Sequence, residues 1–199
     1  MQLEIYKIEE YRKNRKLVYL DEGTPAFCLY TKEVKKFELA EGGVIPEEVY
    51  GKIVELLSKR ARERCLYLLE SMARTERQLR DKLKDAYYPD EAIEYALSYC
   101  REKHYVDDLD YAERFIGSRS ATLSKKMIEQ KLFQKGIDRE VMEQAFSNAE
   151  YDETAALCAL VADKYGDVSD LGYEERQKLI KKLMTKGFSY DAIKQVLRA

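Results

Sequence analysis

The chain has 199 residues, of which 45% are hydrophobic and 36% are charged, and its formal net charge is −2. This hydrophobic content supports a packed core, while nine glycines and three prolines leave few loops and favour long helices. The small net charge argues against a general nucleic-acid coat, because such proteins depend on many lysine and arginine contacts to phosphate.

The first 45 residues predict a small antiparallel β-hairpin or meander. Short runs rich in β-branched and aromatic residues (LEIYKIEEY, KLVYL and AFCLY) alternate there with turn-forming segments. After Gly42-Gly43 a helix is expected, with Pro46 in its first turn and with Glu47 and Glu48 favoured by the helix dipole. We interpret residues 1–57 as a β-rich appendage with a linking helix, whose role is that of a structural cap.

An internal repeat dominates the rest of the chain. Three segments align when they start at Leu79, Ile128 and Leu179, which are 49 and 51 residues apart. A leucine follows four residues later in each copy, and this spacing places the two residues on one face of a helix. The resulting column of predicted core residues consists of Leu83, Leu132 and Leu183.

The turn after this helix also repeats. Gly136 and Gly187 share a column that suits a left-handed C-terminal cap, whereas Tyr87 stands there in the first copy, so that turn is expected to differ. A further helix follows in each copy. Another helix precedes each copy, and these preceding helices are RARERCLYLLESMA, DYAERFIGSR and TAALCALVADKY. In the first of these we expect one buried side formed by Cys65, Leu66, Leu69 and Met72.

The predicted fold is therefore mainly α, with tandem three-helix repeat modules that form an elongated array behind the small N-terminal β-hairpin or meander. The modules are expected at residues 58–108, 109–153 and 154–199. A single unit of this size has a thin core, so stacked neighbours are expected to bury more apolar surface.

The segment KHYVDDLDYAERFIGSR contains the only histidine, His104, close to several aspartates. Asp107 or Asp108 is expected to cap a helix, and Tyr105-Val106 to pack as an apolar plug. A metal or catalytic site would need further ligands or a nucleophile, and none has suitable spacing. The cysteines at 28, 65, 100 and 158 form no C-x-x-C pair and are interpreted as small buried apolar groups. We expect no catalytic residue, metal or cofactor, and hence no enzyme.

The same segment resembles the signature of the RecX family of recombinase regulators. The matching positions are Tyr105, Asp107, Asp108, Ala112, Phe115 and Arg119. The resemblance extends over about residues 58–199, through RARERCLYLLESMARTERQLRDKL upstream and IEQKLFQKGIDREVMEQAF downstream. The motif residues are expected to be structural.

The resemblance implies a protein of tandem three-helix repeats that binds the RecA recombinase along its nucleoprotein filament. It implies inhibition of filament growth and of ATP-driven strand exchange, and thereby control of DNA repair and the SOS response. Capping, groove blocking and disassembly stay open as mechanisms. The alternative is a helix-turn-helix protein that binds DNA without the recombinase, although DEAIEYALSYC and DREVMEQAF are too acidic or apolar for recognition helices. A repeat scaffold for another partner is a further alternative.

The candidates for contact with the filament or DNA are basic residues outside the apolar stripes. They are Arg119, Lys125, Lys126, Lys131, Lys135, Lys178, Lys181, Lys182 and Lys186. Residues 154–199 hold eight basic and six acidic residues, so this module is favoured as the end that faces DNA or an acidic partner. The tyrosines at 87, 88, 105 and 111 are expected to pack at module joints. Without a signal peptide or an apolar run of spanning length, we expect a cytoplasmic protein. We also expect a monomer that binds DNA weakly.

Overall fold

The computed structural model describes residues 3–197 and divides the chain into two compact units, Met1–Val106 and Asp107–Ala199. The first unit starts with short strands and a one-and-a-half-turn helix. These elements are β1 (Leu3–Glu4), β2 (Lys7–Arg12), β3 (Arg15–Tyr19), β4 (Phe27–Tyr30), α1 (Thr31–Lys36) and β5 (Val44–Ile45). The predicted N-terminal hairpin is confirmed.

Strands β2, β3 and β4 form an antiparallel sheet, and β1 pairs with β5. Lys7 lies opposite Tyr19, and Arg15 lies opposite Tyr30. Because side chains alternate along a strand, one face of the sheet can be apolar while the other is polar. The apolar face buries Val18, Phe27 and Leu29. The opposite face carries Lys7, Glu9, Tyr11, Arg15, Tyr19 and Tyr30.

Module one consists of α2 (Glu47–Ser71), α3 (Glu76–Lys84) and α4 (Asp90–Glu102). Helix α2 runs without interruption through residues 57 and 58, where the sequence analysis places the end of the appendage. Buried residues of α2, α3, α4 and the sheet form one continuous hydrophobic core, so the same helix serves both parts. Pro46 is the N-cap residue of α2 with extended backbone, and the expectation that it lies in the first turn is wrong by one position.

The second unit contains two further modules, which confirms the predicted repeat of three helices. Module two consists of α5 (Asp108–Arg119), α6 (Lys125–Gln134) and α7 (Arg139–Asn148). Module three consists of α8 (Glu153–Tyr165), α9 (Tyr173–Thr185) and α10 (Tyr190–Leu197). Each has its own small core, and Leu132 and Leu183 are fully buried in them, as Leu83 is in module one. No helix between residues 3 and 197 combines the length and apolar character needed to cross a membrane.

The middle helix of every module ends in the same left-handed turn. Gly136 and Gly187 have φ angles of 84° and 83°, and Tyr87 adopts 58°, so the expected difference at Tyr87 is wrong. In each turn the next amide donates to the carbonyl of the buried leucine, from Tyr88, Ile137 and Phe188 at 3.2, 3.1 and 3.3 Å. Tyr87 is held there by contacts to the sheet: its carbonyl accepts from the Cys28 amide at 3.1 Å, and its ring lies 5.3 Å from that of Tyr11.

Three side chains that were expected to be buried are exposed. Met72 is 58% exposed because α2 ends at Ser71, and Leu68 is the buried residue of that turn. Tyr105 is 52% exposed, so Val106 alone packs after α4. Cys158 is exposed because the buried stripe of α8 passes through its neighbours Ala156, Leu157, Leu160 and Val161.

Candidate partner-binding site

The histidine segment forms a turn and a helix start. His104 occupies the left-handed turn after α4, with a φ of 53°. The Asp107 carboxylate caps α5, accepting from the amides of Leu109 and Asp110 at 2.9 and 3.0 Å. Within residues 3–197, no three His, Cys, Asp or Glu side chains are grouped closely enough to hold a metal ion. Asp107 therefore acts as the N-cap of α5, and Asp110 accepts from the Arg114 guanidinium at 2.9 Å.

A groove opens in module two between the end of α5 and the middle of α6. It has a volume of about 550 Å³ and is lined by Phe115, Arg119, Thr122, Leu123, Lys131, Gln134 and Lys135. We call it the module-two groove. Three of these side chains are basic and none is acidic. An occupant with a negative charge beside an apolar group therefore matches the lining.

The local fold explains why the basic residues converge. Arg119 is the last residue of α5, and its carbonyl accepts from the amides of Thr122 and Leu123 at 2.9 and 3.0 Å, which turns the chain toward α6. Lys131 and Lys135 are four residues apart on α6 and its C-cap, so they share one side. The Lys135 ammonium lies 5.8 Å from the centre of the Phe115 ring, a distance typical of a cation–π contact.

Module three also has a groove, between the end of α8 and the first three turns of α9. It has a volume of about 310 Å³ and is lined by Tyr165, Val168, Leu171, Glu175, Lys178, Leu179 and Lys182. We call it the module-three groove. In the repeat, Lys182 occupies the column of Lys131, and Leu179 that of Ile128. Glu175 offsets part of the basic charge, so this groove is less positive than the first.

A joint between modules two and three brings further candidate lysines together. Ser124 is fully buried at the N-cap of α6, where its hydroxyl donates to the carbonyl of Lys186 at 2.7 Å and accepts from the Met127 amide at 3.3 Å. A Cβ on Gly187 would lie 2.9 Å from the Ser124 hydroxyl and 3.4 Å from the Lys126 Cβ. The start of α6, with Lys125 and Lys126, therefore lies directly against the end of α9.

Lys125 also lines a depression at the edge of module two, with Glu143, Phe146, Ser147 and Tyr151. Its ammonium lies 5.0 Å from the centre of the Phe146 ring. The Tyr151 hydroxyl donates to the carbonyl of Leu123 at 3.0 Å, and burial raises the pKa of this tyrosine to about 12. Tyr151 is thus a neutral support for the chain that leads into α6.

The structure groups the sequence-predicted candidates into three sets. Arg119, Lys131 and Lys135 share the module-two groove, Lys178 and Lys182 share the module-three groove, and Lys125, Lys126 and Lys186 adjoin the α6–α9 joint. Lys181 is exposed on α9 and lines neither groove. Among the motif residues, Ala112 is buried, Asp107 caps α5, and Phe115 and Arg119 line the module-two groove.

Sequence reasoning did not single out Ser124 or Tyr151. Ser124 had a signal in the repeat: four residues before Ile128, it occupies the column of Thr75, the N-cap of α3. Tyr151 had none, because its acceptor is a backbone carbonyl 28 residues away.

Comparison with family models identifies each module separately. The models described as the first, second and third three-helix domains of RecX match residues 61–100, 107–145 and 150–197. The "Regulatory protein RecX" of Finegoldia magna is 30% identical over 201 residues, which cover 96% of this chain and 97% of that protein. The protein of the same name from Clostridium botulinum strain Eklund 17B is 28% identical, over 96% of this chain and 92% of that one.

Solved structures show the same relationship. A structure described as "Crystal structure of regulatory protein RecX" matches with a TM-score of 0.64 and 26% identity, over 98% of both chains. RecX from Lactobacillus salivarius matches with a TM-score of 0.60 and 25% identity, over 71% of this chain and 95% of that one. Sequence, module order and fold agree along nearly the whole length, and the chain belongs to the RecX family of regulatory proteins.

Proposed function

We propose that this protein binds the RecA recombinase in its filament on DNA and inhibits filament growth, ATP hydrolysis and strand exchange, thereby controlling DNA repair and the SOS response. Family membership supports a regulatory role. The observation that carries the proposal is that modules two and three each contain a groove lined by basic and apolar side chains, with Lys131 and Lys182 in the same repeat column. Two similar sites on one chain suit a partner that repeats its own surface, as a filament does.

Repetition also gives a physical reason for preferring filament to free recombinase. When one groove is occupied, the second meets the next copy of its target at a high effective concentration, so two weak contacts reinforce each other. A single recombinase molecule offers only one such contact. Binding across neighbouring molecules would oppose the addition and the rearrangement of subunits. Such a partner implies that the protein acts in the cytoplasm. We further propose that it acts as a monomer without a cofactor.

The proposal assigns no catalytic step to the protein. The grooves are lined mainly by basic and apolar side chains, with Thr122 and Gln134 in the first and Glu175 in the second. Such a lining suits recognition of an acidic and apolar surface.

A helix-turn-helix DNA reader is the alternative function, and the exposed side chains of the third helices of modules one and two argue against it. On α4 these include Glu91, Glu94 and Tyr95, and on α7 they include Glu140 and Glu143. A recognition helix in a major groove needs basic and amide side chains near phosphates and bases. These acidic faces would be repelled by the DNA backbone.

The decisive experiment measures ATP hydrolysis and filament length of RecA on single-stranded DNA as the protein is added. We expect inhibition at less than one molecule per RecA protomer. Lys125→Glu combined with Lys126→Glu should weaken inhibition by about tenfold or more, since two exposed cations beside the α6–α9 joint become anions. The variant should stay folded, because negative charge is favoured in the first turn of a helix such as α6.

Lys35→Glu combined with Lys36→Glu is the matched control, because it makes the same charge change at two exposed, adjacent lysines on α1. A parallel pair, Arg119→Glu with Lys131→Glu, tests the module-two groove itself. Wild-type inhibition by both the α6 and the groove variants would refute the assigned surface. Absence of inhibition by the wild-type protein would refute the function.

A further inference from the structure

The first unit carries a cationic surface of its own. At its centre, Arg15 donates from Nη2 to the Tyr30 hydroxyl at 3.2 Å, and its guanidinium carbon lies 5.1 Å from the centre of the Tyr30 ring. The guanidinium of Arg60 lies 4.6 Å from the same ring. Tyr88 and Cys28 line the depression between these side chains. Strand β3, strand β4, helix α2 and the α3–α4 turn thus meet here.

Two more arginines, Arg12 and Arg64, adjoin this surface, and Arg12 lies opposite Arg15 in the β2–β3 pair. Burial raises the pKa of the Cys28 thiol, and Arg15, Arg60 and Arg12 oppose that rise. Burial likewise raises the pKa of Tyr88, and Arg60, Arg15 and Arg64 oppose it. Arg64 stands one turn beyond Arg60 on α2, and its guanidinium lies 5.3 Å from the ring of Tyr67, which is 63% exposed. We call this surface the arginine–tyrosine patch: Arg12, Arg15, Tyr30, Arg60, Arg64, Tyr67 and Tyr88.

The positive charge of the patch is largely uncompensated. Glu33 pairs with Arg60 at 2.5 Å. Among residues 3–197, Arg12, Arg15 and Arg64 form no ion pair. The patch therefore offers about three uncompensated cations within reach of several aromatic rings.

The choice of residues identifies the ligand class. Guanidinium groups are planar and bind phosphate through paired donors, and they also stack on flat rings. Exposed tyrosine rings interleaved with such cations suit a chain that alternates phosphates with unpaired bases. In a duplex the bases are stacked away from such rings, and an acidic peptide has carboxylates but no bases to stack on them. We propose that the arginine–tyrosine patch binds single-stranded nucleic acid.

This site is independent of recombinase binding, so its test needs no recombinase. The full-length protein is titrated into fluorescently labelled oligo(dT), and anisotropy gives Kd over a range of salt concentrations. With about three phosphates neutralised, log K should fall with log salt at a slope of about −2. Duplex DNA of equal length should bind at least about fivefold more weakly at each salt concentration.

Arg64→Gln combined with Tyr67→Ala should weaken oligo(dT) binding by about tenfold or more, because it removes one phosphate contact and one stacking ring. The salt slope should become shallower by about 0.7. Both residues are exposed on α2, so the fold should be retained. Arg77→Gln combined with Tyr95→Ala is the matched control: it removes one exposed arginine and one exposed tyrosine of the same unit outside the patch.

Glu33→Gln provides a test in the opposite direction. It releases Arg60 from its carboxylate partner, and the glutamine oxygen can still accept from the Tyr30 amide as the glutamate does at 2.8 Å. Binding should tighten by about twofold or more, and the salt slope should steepen by about 0.7.

The proposal is overturned if the wild-type protein does not bind oligo(dT) at low salt, or if the Arg64–Tyr67 variant binds no more weakly than the Arg77–Tyr95 control. It is also overturned if poly-glutamate of equal charge competes as well as unlabelled oligo(dT), since the patch would then recognise charge alone. Loss of oligo(dT) binding only in the Lys125–Lys126 variant would place the site in the second unit and would equally refute the proposal.

Discussion

The hydrophobic core of module one is built differently from the cores of modules two and three. In module one the 25-residue helix α2 shares a continuous core with the β-sheet and with α3 and α4. Modules two and three have first helices of 12 and 13 residues and separate small cores. The comparison shows that a second and a third helix joined by the same turn can pack either into a core shared with a sheet or into a small core of their own module.

The buried leucine column gives the largest expected effect on this comparison. Leu83, Leu132 and Leu183 are each fully buried, so truncation to alanine should cost about 2–5 kcal/mol. We expect modules two and three to unfold at a lower urea concentration after Leu132→Ala and Leu183→Ala than module one does after Leu83→Ala. The smaller cores bury less apolar surface, so less stability remains after the truncation. Hydrogen exchange during a urea titration measures the urea concentration at which each module unfolds. Phe133→Ala, adjacent to Leu132 but 68% exposed, is the control and should change stability by less than about 0.5 kcal/mol. Equal loss for Phe133 and Leu132 would contradict the core assignment.

The left-handed turns provide the next test. Gly187→Ala should destabilise module three by about 1–3 kcal/mol, since the new Cβ meets the Ser124 hydroxyl at 2.9 Å and φ is 83°. Tyr87→Asn tests the corresponding turn of module one, because asparagine tolerates positive φ but removes the ring that contacts Tyr11. Any stability lost by Tyr87→Asn then measures the contact to the sheet. Thermal melts of the two variants should differ from each other, and an unchanged Gly187→Ala melt would show that the joint is not tightly packed.

The N-cap residues of module two are expected to have a smaller effect on stability. Asp107→Ala should cost about 1 kcal/mol, because its carboxylate accepts two amides at the start of α5. Asp138→Ala is the matched control at the start of α7, where the aspartate side chain makes no capping hydrogen bond. We expect the control to cost only a few tenths of a kcal/mol in chemical denaturation, and an equal cost would refute the role of the Asp107 bond.

Alkaline pH gives the smallest expected effect. Burial raises the pKa of both Tyr50 and Tyr151 to about 12, above the ordinary tyrosine value of 10.0. Each therefore contributes stability that is fully present below pH 10 and is lost as the pH rises toward about 12. A shift of this size corresponds to at most about 2.7 kcal/mol, and solvent screening of the partly exposed rings reduces the contribution to about 1 kcal/mol or less for each residue. Tyr50→Phe and Tyr151→Phe should flatten this loss in the first and second unit respectively, as measured by circular dichroism between pH 9 and 12. Loss of the same size in the phenylalanine variants would exclude the tyrosines as its cause.

The repeat predicted much of the fold because a helix face is written in residues four apart. Leu83, Leu132 and Leu183 were identifiable for that reason, and Asp107 was identifiable as a cap. The turn at Tyr87 was mispredicted because a glycine column indicates positive φ, whereas its absence does not exclude it when a sheet holds the residue in place.

The candidate site was less predictable than the fold. The basic residues were visible one by one, but their grouping depends on how the chain turns after Arg119 and after α8. Backbone acceptors leave no sequence signal, so the bond from Ser124 to the Lys186 carbonyl was not foreseeable. The arginine–tyrosine patch combines residues from 12 to 88, which no local pattern connects.

The hydroxyl of Ser124 finds its acceptor 62 residues further along the chain. During synthesis at about 5–20 residues per second, the start of α6 must therefore wait about 3–12 s for that acceptor to be translated. Until then the Ser124 hydroxyl is exposed to water. In a nascent chain that stops before Lys186, the start of α6 stays uncovered. Premature termination in the last helices would consequently damage a region that had been made long before.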